Sequence, residues 1–357
     1  MDGSGGGRLP AQVGTLDSPM AGSPELPATS GGARLALLTS VWKLARQKYY
    51  WSPARFPRIL WTMACNIQTQ ARVLRVLSRP AYRRLMAVNP RFPLKYSGLD
   101  YLARGLTVAE QAECFIHHYR RLSELFPENV LTQVLLEVVP LDKISEGDDC
   151  FTVTMGLSRP WDDEGELSLH FEVNGKVVFV LSFTIIPGWV VQSEAQEVVL
   201  ISRLQGVKGA FDEIQRATKA LCDVAPARVL FAALVGFAEA FGITAMAGIN
   251  AAMKPEFHFY EGEAANIQEA YDGFFAELGA TRCPAGFFLA PLPTSEKPLA
   301  TIKRGHKIRT KRRRALRLEI SQRICLHIRE ICGSQLDHNG RDEHADGVED
   351  ANQIGGE

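Results

Sequence analysis

Residues 166–186 read ELSLHFEVNGKVVFVLSFTII. Apolar side chains alternate around Asn174-Gly175, the dipeptide favoured by a two-residue type I′ turn because both central residues take φ > 0. Two strands, Glu166–Val173 and Lys176–Ile186, and a hairpin between them follow from this. Further runs of strand character extend outward: Val130–Val139 and Cys150–Leu157 before the hairpin, Glu197–Ser202 after it. Such a series predicts an antiparallel meander.

Helical patterns flank it. Thr107-Val-Ala-Glu110 is a capping box, opening a helix whose apolar stripe is Val108, Ala112, Phe115, Tyr119, Leu122 and Phe126, stopped by Pro127. Upstream, helices are expected over Leu35–Tyr50 and Pro57–Leu77. Downstream, helices are expected over 210–221, 226–241 and Asn266–Leu278, with strands at Ile243–Ile249 and Gly286–Leu289. A last helix, Lys311–Ile331, carries the stripe Leu316, Ile320, Ile324, Ile328 and Ile331. The fold class is therefore α+β: a mixed, mainly antiparallel sheet flanked by helices. The expected divisions are a disordered segment over 1–32, a basic helical region over 33–106, the α+β core over 107–300, a basic amphipathic helix over 301–332 and an acidic, disordered tail over 333–357.

Among 357 residues, 40 Lys and Arg balance 40 Asp and Glu, yet the charges are segregated. From Arg34 to Leu99 there are thirteen cations and no carboxylate, and Lys303–Arg317 is basic again. Charge packed in this way points to an anionic partner: a phosphate-bearing ligand, an anionic membrane surface or nucleic acid. In the late block, Lys303, Arg304, Lys307, Arg309, Arg313 and Arg317 are the candidate anion-binding residues, the last three one helical turn apart. No aromatic residue is interleaved there, which disfavours nucleic acid. In the early region Trp42, Tyr49, Trp51 and Trp61 alternate with Lys43, Arg46, Arg55 and Arg58. That composition suits an anionic lipid surface, an RNA backbone or docking on the acidic middle of the same chain.

Seven scattered cysteines without CxxC spacing argue for reduced thiols and against a zinc site. No metal is expected. The first 32 residues lack the basic start and apolar stretch of a signal peptide. Val229–Ile249, the most apolar run, is broken by Glu239 and three glycines, so no transmembrane segment is expected.

Val198–Gly209, VVLISRLQGVKG, runs from a strand through two glycines into a helix. Glycines permit close backbone approach and the amides at a helix start attract anions, so Arg203, Gln205, Gly206, Val207, Lys208 and Gly209 are candidate ligand residues. An ordinary β-to-α connection also uses such glycines.

Arg203-Leu-Gln-Gly206-Val-Lys208 resembles the phosphate loop of N-acetyltransferase-like (GNAT) proteins, Gln/Arg-x-x-Gly-x-Gly/Ala, departing from it only at Lys208. Phe274-Phe-Ala-Glu-Leu-Gly279 resembles that family's Phe-Tyr-Glu-Lys-Leu-Gly segment. The resemblance implies acyl-CoA as cofactor, its pyrophosphate on the loop amides, and a slot between Glu197–Ser202 and Ile243–Ile249. The family's tyrosine, which protonates the leaving thiolate, is here Phe275, with Tyr271 one turn earlier.

Over residues 90–330 the chain also resembles the VirK/YbjX family. The shared pieces are His118-Tyr119, Arg203-Leu-Gln-Gly206, Thr218, Pro226, Gly242-Ile243, Gly248, Tyr271-Asp272, Glu277-Leu-Gly279 and the block from Lys303. This implies a bacterial, cytoplasmic protein linked to envelope stress and virulence, with no established catalytic residues. His118, Tyr271 and Asp272 are the catalytic candidates, each equally at home in a packed helix face. The residues leave open whether the protein is an acyltransferase or a non-catalytic adaptor peripheral to the inner membrane.

Overall fold

The computed structural model describes residues 67–98, 101–158, 164–254 and 268–333. The expectations for residues 1–66, for the tail from 334 and for the start of the Asn266–Leu278 helix lie outside the described residues.

Helices α1 (Ile67–Val76) and α2 (Pro80–Val88) come first, α2 with proline in its first turn, where its missing N–H costs nothing. A 3₁₀ turn, Phe92–Ser97, leads towards α3 (Val108–Leu125). The capping box forms as expected. The Glu110 amide donates to Thr107 Oγ1 at 3.3 Å, and the Thr107 amide donates to the Glu110 carboxylate at 2.7 Å. Ala112, Phe115, Tyr119 and Leu122 are buried, which is the expected stripe. Phe92 meets Tyr119 edge-on at 4.8 Å, and Tyr82 does so at 5.4 Å, so the basic residues from Ile67 onward are joined to the core through their aromatic neighbours.

One expected strand is a helix. Val130–Val139 divides into α4 (Glu128–Leu136) and the start of β1 (Val138–Glu146). Val130 with Val134 and Leu131 with Leu135 are buried four apart, a helical stripe that valine's strand preference masks in sequence. The Ala81 amide donates to the Glu128 carboxylate at 2.6 Å and ties the helix start to α2.

The meander continues through β2 (Asp149–Leu157), β3 (Leu167–Val173), β4 (Lys176–Pro187) and β5 (Glu197–Gly206). Asn174 at φ 53° and Gly175 at φ 79° make the turn between β3 and β4. Then come α5 (Phe211–Ala220), α6 (Pro226–Ala240) and β6 (Ala245–Gly248). A π-helical turn, Glu269–Gly273, runs into α7 (Phe274–Glu277), followed by β7 (Thr281–Arg282), β8 (Phe288–Pro291) and α8 (Lys307–Gly333). The strands form one sheet in the order β1-β2-β3-β4-β5-β6-β8-β7. All neighbours are antiparallel except β5 and β6. The molecule is α+β, with a mixed, mostly antiparallel sheet and flanking helices.

α6 is apolar on nearly every side because it lies between the sheet and α8. Phe237 meets Phe183 of β4 at 5.0 Å, and Gly236 faces α8 so closely that a Cβ there would stand 2.3 Å from the Ser321 carbonyl oxygen. Ile320, Ile324 and Ile328 of α8 are fully buried, each worth about 1.5–3 kcal/mol of transfer free energy. Among the described residues no helix is long and apolar enough to cross a membrane.

Candidate functional site

β5 and β6 pair through only three residue couples, Val199 with Met246, Leu200 with Ala247 and Ile201 with Gly248. β6 then turns away. Asn250 accepts the Met253 amide at 3.2 Å and donates to the Gly286 carbonyl at 2.8 Å, while Asp272 Oδ1 accepts the Ala251 amide at 3.0 Å. The seam between the two strands is thus closed over three pairs and a last bond from the Ile249 amide to the Ile201 carbonyl at 3.2 Å, and no further pair follows among the described residues. β5 also gains an extra residue against β4 at Ser202, between the pairs Phe183–Ile201 and Ser182–Arg203. Such a bulge re-aims the strand and its side chains.

Along the stretch from Ser202 to Gly206, no strand among the described residues pairs with β5 on the β6 side. Tyr271 stands there instead. Its hydroxyl accepts the Leu204 amide at 3.1 Å, which leaves its own proton to donate elsewhere. Burial raises the Tyr271 pKa above that of an ordinary phenol, although Lys254 pulls the other way, so the hydroxyl is protonated at neutral pH. The Lys254 ammonium lies 5.6 Å from the Tyr271 ring centroid.

From Lys254 a buried polar network crosses the sheet. Lys254 bonds the Glu164 carboxylate, and Arg203 Nε lies 3.6 Å from its other oxygen. Ser202 Oγ donates to the Glu164 carbonyl at 2.9 Å. Gly165, at φ 122°, lies against β4 and β5, where a Cβ would stand 3.0 Å from both Ser182 Cβ and Ser202 Oγ. Lys95 donates to the Gly165 carbonyl at 2.9 Å and sits 3.2 Å from Glu166 Oε1, while the Tyr119 hydroxyl bonds the other Glu166 oxygen. Behind this segment Ser158, Ser168 and Ser182 form a hydroxyl chain with two links of 2.8 Å. Three cations, Lys95, Arg203 and Lys254, face two carboxylates, Glu164 and Glu166. Charges so far from water require such pairing.

His118 lies at the rim of this network and is fully buried. β3 pairs with β4 only as far as Leu167, so the Ile185 amide has no ladder partner; His118 Nδ1 accepts it at 3.0 Å. Burial, assisted by His117 and Lys95, holds the imidazole pKa well below its ordinary value. His118 is neutral and completes the sheet. Asp272 is engaged with the Ala251 amide, so these two candidates do not form an acid–base pair.

The Gly206–Gly209 loop is a compact turn. The Val207 amide donates to the Val178 carbonyl at 2.9 Å and the Ala210 amide to the Val207 carbonyl at 3.1 Å; Gly209 takes φ 82°. Gln205, Val207, Lys208 and Gly209 are exposed, whereas Arg203 is drawn to Glu164. The first turn of α5 carries Asp212 and Glu213. In the late basic block, Lys303, Arg304 and Lys307 are exposed. Arg309 pairs with Asp223 at 2.5 Å and Arg317 with Glu296 at 2.5 Å, while Arg313 lies 3.8 Å from Asp223.

A family model described as protein of unknown function (DUF535) matches residues 47–325. The chain belongs to this family, VirK/YbjX. No curated protein and no solved structure matches it. The VirK/YbjX span takes in α1, α2 and Lys95 as well as the sheet, and it ends inside α8. Both the buried network and the late basic block therefore belong to the family domain.

Sequence reading missed Lys95, Glu164, Glu166 and Lys254. The available signals were a lysine set between buried aromatics, in Phe92-Pro-Leu-Lys95-Tyr96, and a Glu-Gly-Glu at the start of an apolar strand.

Proposed function

We propose that the protein binds a phosphate-bearing acyl thioester of the acyl-CoA type along the open edge of β5 and transfers its acyl group, in the cytoplasm and on an N-acetyltransferase-like fold. The carrying observation is the seam that opens after Ile201 and Gly248, with the Tyr271 hydroxyl at the Leu204 amide. Apart from the Leu204 amide, which Tyr271 holds, the β5 edge beyond Ile201 would offer its remaining backbone groups to an extended chain bearing amides, and a pantetheine arm is such a chain. The sheet order, its single parallel pair and the bulge at Ser202 support the same fold reading.

In this proposal the acyl carbonyl lies near Tyr271. The acceptor's nucleophile attacks it, the C–S bond breaks, the thiolate takes the phenolic proton, and the acceptor's proton passes through solvent to restore the phenol. The Gly206–Gly209 loop meets the pyrophosphate with Lys208 beside it. Calorimetric titration with CoA and acetyl-CoA tests the reading. It predicts saturable binding that Tyr271→Phe preserves, and acyl transfer that Tyr271→Phe abolishes.

A second reading, a non-catalytic adaptor at an anionic membrane surface or on nucleic acid, draws on the thirteen cations of Arg34–Leu99, a stretch without a carboxylate of its own. Within the described part of that region, Arg72 pairs with Glu113, Arg79 donates to the Ser123 carbonyl and Lys95 serves Glu166. Those cations are used inside the domain, which favours the ligand reading. Flotation with anionic vesicles, before and after deletion of residues 34–61, separates the two.

A further inference from the structure

A second polar recess lies apart from the β5 edge. The start of α6, the end of α7, the segment 294–297 and the first half of α8 enclose a half-open cleft of about 660 Å³. Five cations line it, Arg228, Lys297, Arg313, Arg314 and Arg317, against three carboxylates, Asp223, Glu277 and Glu296, an excess of two positive charges.

Glu277 is matched to Arg228, whereas the other two carboxylates are each shared between arginines. Glu296 serves both Arg314 and Arg317 at 2.5 Å, and Asp223 serves Arg309 as well as Arg313. Among the described residues, Arg313 Nε is buried without a hydrogen-bond acceptor. Burial lowers the Arg317 pKa; Glu296 opposes this, while Arg228, Arg314 and Arg313 lower it further. Four guanidiniums thus crowd one space and repel one another. At the same rim α6 opens with Pro226, without a side-chain cap at Ala225 and without an acidic residue in its first turn.

We propose that this cleft binds a small soluble molecule through a dianionic phosphate group. Arginine forks match phosphate oxygens two at a time, and a dianion removes the excess of two charges. The volume suits a small phosphate ester and excludes a nucleic acid duplex. The site shares no lining residue with the Gly206–Gly209 loop or the β5 edge, so it stands or falls separately from the thioester reading.

Inorganic phosphate and pyrophosphate, titrated into the full chain by calorimetry at constant ionic strength, test it. Binding below about 1 mM is expected, weakened at least about tenfold by Arg313→Gln or Arg317→Gln and unchanged by Arg312→Gln or Lys208→Gln. Arg312 is an exposed cation on the same helix, and Lys208 belongs to the other candidate site. If Arg317→Gln does not fold, Arg313→Gln carries the test, since 38% of that side chain is exposed. Absence of binding to the intact protein would overturn the proposal. So would equal weakening by Arg312→Gln, which would reduce the effect to bulk charge. Flotation on phosphatidic acid vesicles that Arg313→Gln abolishes, without pyrophosphate binding, would assign the cleft to a lipid headgroup and overturn the soluble ligand.

Discussion

His118 Nδ1 stands 3.0 Å from the Ile185 amide and replaces the strand partner that β3 withdraws after Leu167. His118, one of three catalytic candidates in the sequence, thus serves as a hydrogen-bond acceptor inside the sheet, and its depressed pKa follows from burial. The sign of the pH dependence follows too. Unfolded His118 takes a proton as pH falls through about 6.5 while the folded imidazole stays neutral, so stability is full above that value and declines below it. Urea unfolding of the wild type should lose stability between about pH 7 and pH 5, and His118→Asn should show a smaller loss over the same window.

The acid limb has a different origin. Burial alone would raise the Glu197 carboxyl pKa, but the hydrogen bonds from His117 at 3.0 Å and from Arg121 at 2.7 and 2.8 Å bring it down to about 2. This contribution is complete above the unfolded carboxyl pKa, near 4.3, and is lost as pH falls through about 2. Glu197→Gln should therefore flatten the acid limb of the stability profile and lower stability at neutral pH, by about 1–2 kcal/mol once solvent screening of this half-buried group is allowed for. Denaturant titration at neutral and acid pH measures both.

Lys95 and Glu166 are a buried pair 3.2 Å apart. Removing one partner strands the other in the core. Lys95→Met should cost about 3–5 kcal/mol, and adding Glu166→Gln should recover part of the loss. A double-mutant cycle in urea checks the coupling; strictly additive losses would mean that the two side chains act independently.

Gly236 lets α8 cross α6 at backbone contact. A Cβ there would stand 2.3 Å from the Ser321 carbonyl oxygen, so Gly236→Ala should destabilise the protein by about 2–4 kcal/mol and loosen α8. Gly305→Ala, with nothing within 4 Å, should be close to neutral. Hydrogen exchange at Ile320–Ile328 distinguishes loss of α8 docking from general loosening.

The parts of the fold legible in sequence are those written in local chemistry. Asn174-Gly175 specifies its turn through φ, Thr107 and Glu110 specify a helix start, and Ile320, Ile324 and Ile328 specify the docked face of α8. α4 was misread because Val130 and Val134 favour strands locally while their spacing of four obeys the packing of a helix. The buried network was illegible for a different reason. Lys254 and Glu164 meet across 90 residues, and Lys95 and Gly165 across 70, through a sheet that no local pattern encodes. Tyr271 was a candidate from its motif alone. Its relation to the Leu204 amide depends on where β6 turns away, which Asn250 and Asp272 decide through single hydrogen bonds.

A thioester ligand on the β5 edge is tested most directly by calorimetric titration of the full chain with acetyl-CoA, paired with Tyr271→Phe. Saturable binding tighter than about 1 mM is predicted for both proteins, with acyl transfer by the wild type alone. No heat of binding in the wild type up to about that concentration would contradict it.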